Sequence, residues 1–261
     1  MSYRRRALVL ALTFPAVLLV VAALTVAVVS VLARQPRDVP SQDVLGPVLL
    51  VPGYGGGTGG VDPLAQRIRA TGRVATVVAL PDGGVGDLAR QADVLDQRVN
   101  EALAAGAPSV DLIGYSAGGV VVRLWAQQHD GAHKARRIIT LGSPHHGAAI
   151  AGVGTVAVPG ACPVACQQLA PGSRFLSGLT TPVVTPPAWL AVWTAFDQTV
   201  TPPDSGRLEG AVNVELQAVC PGVTVDHSGL PTNPLVTTLV LRAIDVTPPR
   251  PPTAADCPVS S

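Results

Sequence analysis

From residue 47 onward, short β-branched runs alternate with amphipathic stretches. "PVLLVPG" is an unbroken apolar run, the pattern of a strand covered on both faces of a parallel sheet. Asp62-Pro63 then predicts a helix start, with Asp62 as N-cap and proline at the first helical position of "PLAQRIRATG". "RVATVVAL", residues 73 to 80, predicts a second strand. In "GDLARQADVLDQRVNEALAAG" the residues Leu88, Ala92, Leu95, Val99 and Leu103 recur at spacings of four, three, four and four. That is one face of a helix, and Gly106 closes it. "SVDLIGY" predicts strand three and "AGGVVVRLWAQQH" the helix after it. "RRIITLGSP", "PAWLAVWTAF" and "GAVNVELQAV" predict strands four to six, and "NPLVTTLVLRAI" a closing amphipathic helix. This alternation predicts an α/β fold, a mostly parallel sheet with helices on both faces. Residues 144–186, between strands four and five, form an insertion rich in glycine, proline and small apolar residues.

The N-terminus follows a different pattern. Behind "MSYRRR", the 27 residues from Ala7 to Ala33 carry no charge. That length is enough to span a bilayer, and the preceding arginines favour an N-terminus retained inside with the rest exported. Val31-Leu32-Ala33 also resembles a cleavage site, so residues 1–33 read as a signal peptide or a signal anchor, an N-terminal hydrophobic helix in either case. Residues 34–46 read as a polar linker and 47–261 as the exported domain, held at the membrane only if the leader stays uncleaved.

Four cysteines agree with export. They allow three pairings, of which Cys162–Cys166 and Cys220–Cys257 are the simplest. Zinc is the competing use, but the chain has neither a CxxC nor a cysteine–histidine cluster. Closing the longer loop would add roughly 3–4 kcal/mol. The net charge is +1, from 18 basic and 17 acidic residues, which offers no electrostatic footing for nucleic acid. A monomer is expected.

The candidate chemistry centres on "DLIGYSAGGVV". A serine hydroxyl needs a base to become a nucleophile, and it must project from a sharp strand-to-helix turn. Gly114-Tyr115-Ser116-Ala117-Gly118 supplies that turn in the required context. Of five histidines, His129 and His133 sit at a solvated helix end. His145 and His146 follow strand four and read as turn-stabilising residues. His227 alone lies beyond residue 146, just after the last strand, and is the candidate base. The acid should fall between nucleophile and base in chain order. Asp197, at the end of strand five, is the first choice and Asp204 the second, whereas Asp226 adjoins the base and would diverge from it. Asp197 would fix the imidazole tautomer. The oxyanion donors expected are the backbone N–H of Ala117 and that of Tyr54 in "VPGYGGGTGG". A phosphate cradle is the alternative for that glycine-rich loop, but no GKS/GKT and no G-x-G-x-x-G fingerprint accompanies it.

With "LLVPGYGG", "DLIGYSAGG", "LGSPHHG", "AFDQTVTPPDSG" and "DHSGLPTNP" in order over residues 47 to 245, the chain resembles bacterial secreted lipases and esterases of the α/β-hydrolase superfamily. The nearest group is triacylglycerol-lipase-like, with a C-P-x-x-C in the cap insertion. The resemblance implies an α/β-hydrolase fold, Ser116 as nucleophile, Asp197 as acid, His227 as base, Tyr54 and Ala117 as oxyanion donors, and no cofactor or metal. It also implies an ester or lipid substrate. Pro52 stands where such relatives commonly carry a histidine, which puts the support of the oxyanion loop in question. Acyl transfer or hydrolysis of another acyl bond with the same residues, or a non-catalytic binding module on the same fold, are the alternatives.

Overall fold

A computed structural model describes residues 38–157 and 162–257. The expected leader and residues 34–37 of the linker lie outside those residues. Among the described residues no helix is long and apolar enough to cross a membrane.

Six strands form one sheet: β1 Val48–Val51, β2 Ala75–Val77, β3 Val110–Tyr115, β4 Ala135–Leu141, β5 Ala188–Trp193 and β6 Val212–Glu215. All neighbours are parallel, in the order β2-β1-β3-β4-β5-β6. The interior strands are buried along their lengths because helices cover both faces. Successive residues point to opposite faces, so Leu49 and Val51 join one core cluster while Val48 and Leu50 join the other. The first cluster receives α2 (Leu88–Ala104) and α3 (Ala117–Gln128); the second receives α1 (Asp62–Arg69) and α6 (Pro234–Ala243).

Local signals account for most boundaries. On α2, Leu88, Ala92, Leu95 and Val99 are buried, Asp87 caps the N-terminus by accepting from Ala89 N at 3.0 Å, and Leu103 is half-buried. Asn233 caps α6 by accepting from Leu235 N at 2.9 Å. At α1 the expected cap shifts by one residue. Val61 occupies the N-cap and Asp62 is already helical, because the N–H groups of Val61 and Asp62 both reach Thr58 O at 2.9 Å and begin the turn early. Strand six is shorter than its apolar run. Glu215 pairs with Trp193, the last residue of β5, and without a further ladder partner the chain folds into a helical turn over Leu216–Val219.

The insertion holds α4 (Ala149–Ala157), α5 (Val164–Gln168) and a helical turn over Arg174–Ser177. It packs onto the face of the sheet that carries α2 and α3. Leu88 N donates to Gln168 Oε1 at 2.9 Å, and Gln168 Nε2 donates to Asp87 Oδ1 at 2.7 Å, tying α5 to the start of α2. Disulfides join Cys162 to Cys166 in the insertion and Cys220 to Cys257 in the tail, the simplest of the three pairings.

Candidate active site

The site assembles at the carboxyl ends of β3, β4 and β5. β3 runs directly into α3, so the residue between them must reverse the backbone within one peptide. Ser116 does this at φ 54°, ψ −127°, a conformation that non-glycine residues rarely adopt. Its amide is held by Leu141 O at 2.8 Å. The flanking glycines are required by close approach. A methyl group on Gly114 would lie 2.4 Å from Gly119 Cα, and one on Gly118 would lie 2.3 Å from Val51 O and 2.4 Å from Pro52 O. The Pro52 carbonyl thus packs against the first turn of α3, and this backbone contact holds the start of the glycine-rich loop. The same loop passes close to the serine, since a methyl group on Gly53 would sit 3.0 Å from Ser116 Cβ.

His227 Nε2 lies 2.9 Å from Ser116 Oγ, and His227 Nδ1 lies 2.6 Å from Asp197 Oδ2. All three side chains are buried. With Nδ1–H donating to the carboxylate, Nε2 is free to accept the hydroxyl proton. The other oxygen of Asp197 accepts from Thr199 N at 2.9 Å and Val200 N at 2.7 Å, so both carboxylate oxygens are fixed. Asp226 points elsewhere and is exposed. Its Oδ1 accepts from Gly229 N at 2.8 Å and Ser228 Oγ at 2.9 Å, and these bonds hold its carboxyl below the ordinary value. Asp204 is exposed in a 3-10 turn.

The remaining histidines have structural contacts. His129 faces Asp93 at 3.2 Å, and His133 Nδ1 pairs with Asp130 at 2.6 Å. His145 is buried with Nε2 3.1 Å from Thr140 Oγ1, and His146 Nε2 donates to Arg207 O at 3.1 Å. Burial, together with Arg123 and His146, drives the His145 pKa well below its ordinary value, which keeps the ring neutral.

Several supporting residues were not legible in the sequence. Thr194 Oγ1 donates to Val225 O at 2.7 Å and so links the end of β5 to the loop carrying His227. Gln217 accepts from Ala195 N at 2.7 Å and donates to Thr194 Oγ1 and Val223 O, both at 3.0 Å. Tyr115 donates its hydroxyl to His227 O at 3.2 Å, with its ring centroid 5.2 Å from the imidazole. Burial, then the charges of Asp197 and Asp226, push its phenol up to about 12. Gly142, at φ +55°, leaves room for the pair: a methyl there would meet Leu230 Cδ1 at 2.6 Å, His227 Nδ1 at 3.1 Å and Asp197 Oδ2 at 3.3 Å. Gly142→Ala is expected to cost about 1–3 kcal/mol of stability from the left-handed backbone. It should also lower kcat by roughly 10- to 100-fold through displacement of the imidazole. Thermal unfolding and ester kinetics on the same preparation check both; an unchanged kcat would refute the crowding argument.

A cavity of about 240 Å³ opens at Ser116, lined by Tyr54, Ala117, Ala151, Leu169 and Val200 among others. A larger groove of about 910 Å³ follows the β2 edge past Thr71, Arg73, Arg98 and Glu101. That groove lies away from Ser116, His227 and Asp197, none of which lines it. Among the described residues no cluster of three or more His, Cys, Asp or Glu is placed to hold a metal.

A parallel sheet of this order, with its serine on the turn after β3, is an α/β-hydrolase-like fold. The family model for palmitoyl protein thioesterase matches residues 47–186, and the chain belongs to that family. That match includes Ser116 and stops short of Asp197 and His227. Aspergillus fumigatus lipase B superimposes with a TM-score of 0.65 at 19% identity, covering 79% of this chain and 54% of the other. The chain thus spans about half the length of that lipase. The mature form of Bacillus licheniformis lipase BlEst2 superimposes with a TM-score of 0.65 at 18% identity, covering 81% of this chain and 96% of the other. At such identities the likeness is one of fold. No curated protein sequence matches the chain.

Proposed function

We propose that the protein is a serine hydrolase that cleaves carboxylic esters through an acyl-enzyme. One observation carries this reading: the unbroken hydrogen-bonded chain from Ser116 Oγ through His227 to Asp197, at 2.9 and 2.6 Å. His227 Nε2 takes the hydroxyl proton as Ser116 Oγ bonds to the substrate carbonyl carbon. Negative charge passes to the carbonyl oxygen, where the N–H groups of Ala117 and Tyr54 are the proposed donors. Ala117 is the first residue of α3, and the first N–H groups of a helix have no partner within it, so they are available to an anion. Collapse breaks the ester bond, and the imidazolium gives its proton to the leaving alcohol. Water then repeats the sequence on the acyl-enzyme, with His227 as base and then as acid, and releases the carboxylic acid and free Ser116.

The thioesterase family match favours a second reading, in which the cleaved bond is a thioester. The same residues serve both, and a thiolate leaving group needs less help from the imidazolium. Two disulfides and the uncharged run Ala7 to Ala33 support action outside the cytoplasm.

The test is a fluorophosphonate probe followed by peptide mass spectrometry, beside turnover of p-nitrophenyl butyrate and of a butyryl thioester. The expected results are a phosphonyl adduct on Ser116, none in Ser116→Ala, and turnover that stops as the adduct forms. An unlabelled Ser116 in folded protein would overturn the proposal.

A further inference from the structure

We infer that the acyl pocket saturates at about ten carbons, making medium-chain acyl groups the substrate class, and that Ala151 and Leu169 set the limit; this rests on the hydrolase reading above. The cavity at Ser116 measures about 240 Å³. An apolar cavity of about 150 Å³ holds the six carbons of benzene, so the same carbon density gives about ten here. Beyond the serine its lining is almost wholly apolar, with Pro144, Ala148, Ala151, Leu169 and Val200 among the wall residues, which suits an alkyl chain.

Hydrogen bonds tie the wall segments to the rest of the fold. Ala148 N donates to Leu169 O at 3.0 Å, and Ala149 N donates to Thr201 O at 2.8 Å. Ala165 N donates to Val85 O at 3.1 Å, and the Gln168 side chain fastens α5 to the start of α2. The Cys162–Cys166 bridge closes the turn that enters α5, and Cys166 itself lines the cavity. Ala151 and Leu169 are buried in the same core as Ala117, and Ala148 is buried as well, so protein backs the wall at these positions. A longer chain must leave through the mouth between Tyr54 and Ile150, which are 46% and 64% exposed. Carbons beyond that point stay wet and gain no burial.

Each methylene that enters the pocket is worth about fourfold in kcat/KM when its burial is realised in the transition state. The expected profile therefore climbs with chain length and stops climbing between C8 and C12. Substituting Ala151→Leu places three more carbons inside the cavity. It should move the break about three carbons shorter and lower the decanoate-to-acetate ratio of kcat/KM by roughly 60-fold, fourfold for each displaced methylene. Leu169→Ala removes three carbons from the wall and should move the break in the opposite direction.

The experiment is a series of p-nitrophenyl esters from acetate to palmitate at one fixed detergent concentration, with the full-length chain and both variants, each normalised to its own acetate rate. A break near C10 that moves in opposite directions in the two variants supports the inference. Ser116-dependent hydrolysis that keeps rising to palmitate, that peaks at C2 to C4, or whose profile neither variant moves, overturns the inference and leaves the hydrolase reading standing. No turnover at any length, with no fluorophosphonate adduct at Ser116, fails the hydrolase reading and takes the inference with it.

Discussion

An Asp197→Asn enzyme is expected to remain folded and to lose about 10⁴-fold in kcat for ester hydrolysis. The direction follows from how the carboxylate is held. Its Oδ1 accepts two backbone N–H groups, from Thr199 and Val200, while its Oδ2 faces His227 Nδ1 at 2.6 Å. An asparagine at this position must keep its oxygen towards the two amides, since its NH₂ group cannot accept from them. The NH₂ group is then turned towards the imidazole and donates to Nδ1. Nδ1 has to be bare to receive that bond, so the proton moves to Nε2, the nitrogen that takes the proton of Ser116 in the proposed mechanism. The substitution thus installs the wrong tautomer with almost no change of shape. Steady-state kinetics beside thermal unfolding check this, with Tm expected to change little because all three hydrogen bonds keep a partner. A loss smaller than tenfold would mean that Asp197 does not set the tautomer of His227.

Asp111→Ala is expected to produce the complementary result, a large loss of stability with the chemistry of the folded fraction retained. Asp111 lies at the amino end of β3, opposite the active site, and is fully buried. Its Oδ2 receives Arg136 at 2.6 Å and Arg73 at 2.8 Å, and its Oδ1 receives Arg136 Nε at 3.1 Å. The two guanidiniums also bind the carbonyls of Gln42, Gly46, Ile244 and Asp245, so the carboxylate neutralises cations that fasten the end of α6 and the entering chain to the sheet. Removing one partner of a buried ion pair leaves an uncompensated charge and costs about 3–5 kcal/mol. For a domain of this size that lowers Tm by roughly 6–20 °C. The exposed pair Arg98–Glu101, at 2.8 Å, is the reference, and Glu101→Ala should stay within about 0.5 kcal/mol. Calorimetry of the two variants decides. Equal Tm values would show that the buried carboxylate carries no special weight.

The fold was legible because it is written locally. β1 is an unbroken apolar run where helices cover both faces, β3 and β4 carry the apolar pairs Leu112-Ile113 and Ile138-Ile139 after their charged amino ends, and α2 shows its buried face at every turn. Errors fell where a tertiary partner decides. Asp62 lost the cap because Thr58 supplied an earlier carbonyl, and β6 ended at Glu215 because β5 ended opposite it. At the site, Ser116 was marked by glycines whose purpose is steric, and steric need leaves a trace in sequence. Asp197 and His227 were reached through chain order and position at strand ends, and the structure brings both to Ser116. Thr194, Gln217 and Gly142 left no such trace, because a threonine, a glutamine or a glycine in a loop looks the same whether or not it braces another side chain.

The sequence by itself determined the alternation of strands and helices, the strained turn at Ser116 and the order in which serine, aspartate and histidine occur, since each depends on neighbouring residues. Only the tertiary structure decided that a hydroxyl and an imidazole 111 residues apart lie within 2.9 Å, that Asp111 is enclosed by two arginines, and that the pocket holds about 240 Å³. Those quantities depend on how parallel strands are set side by side and how the insertion packs over their ends. They belong to distances through space, which no local pattern along the chain encodes.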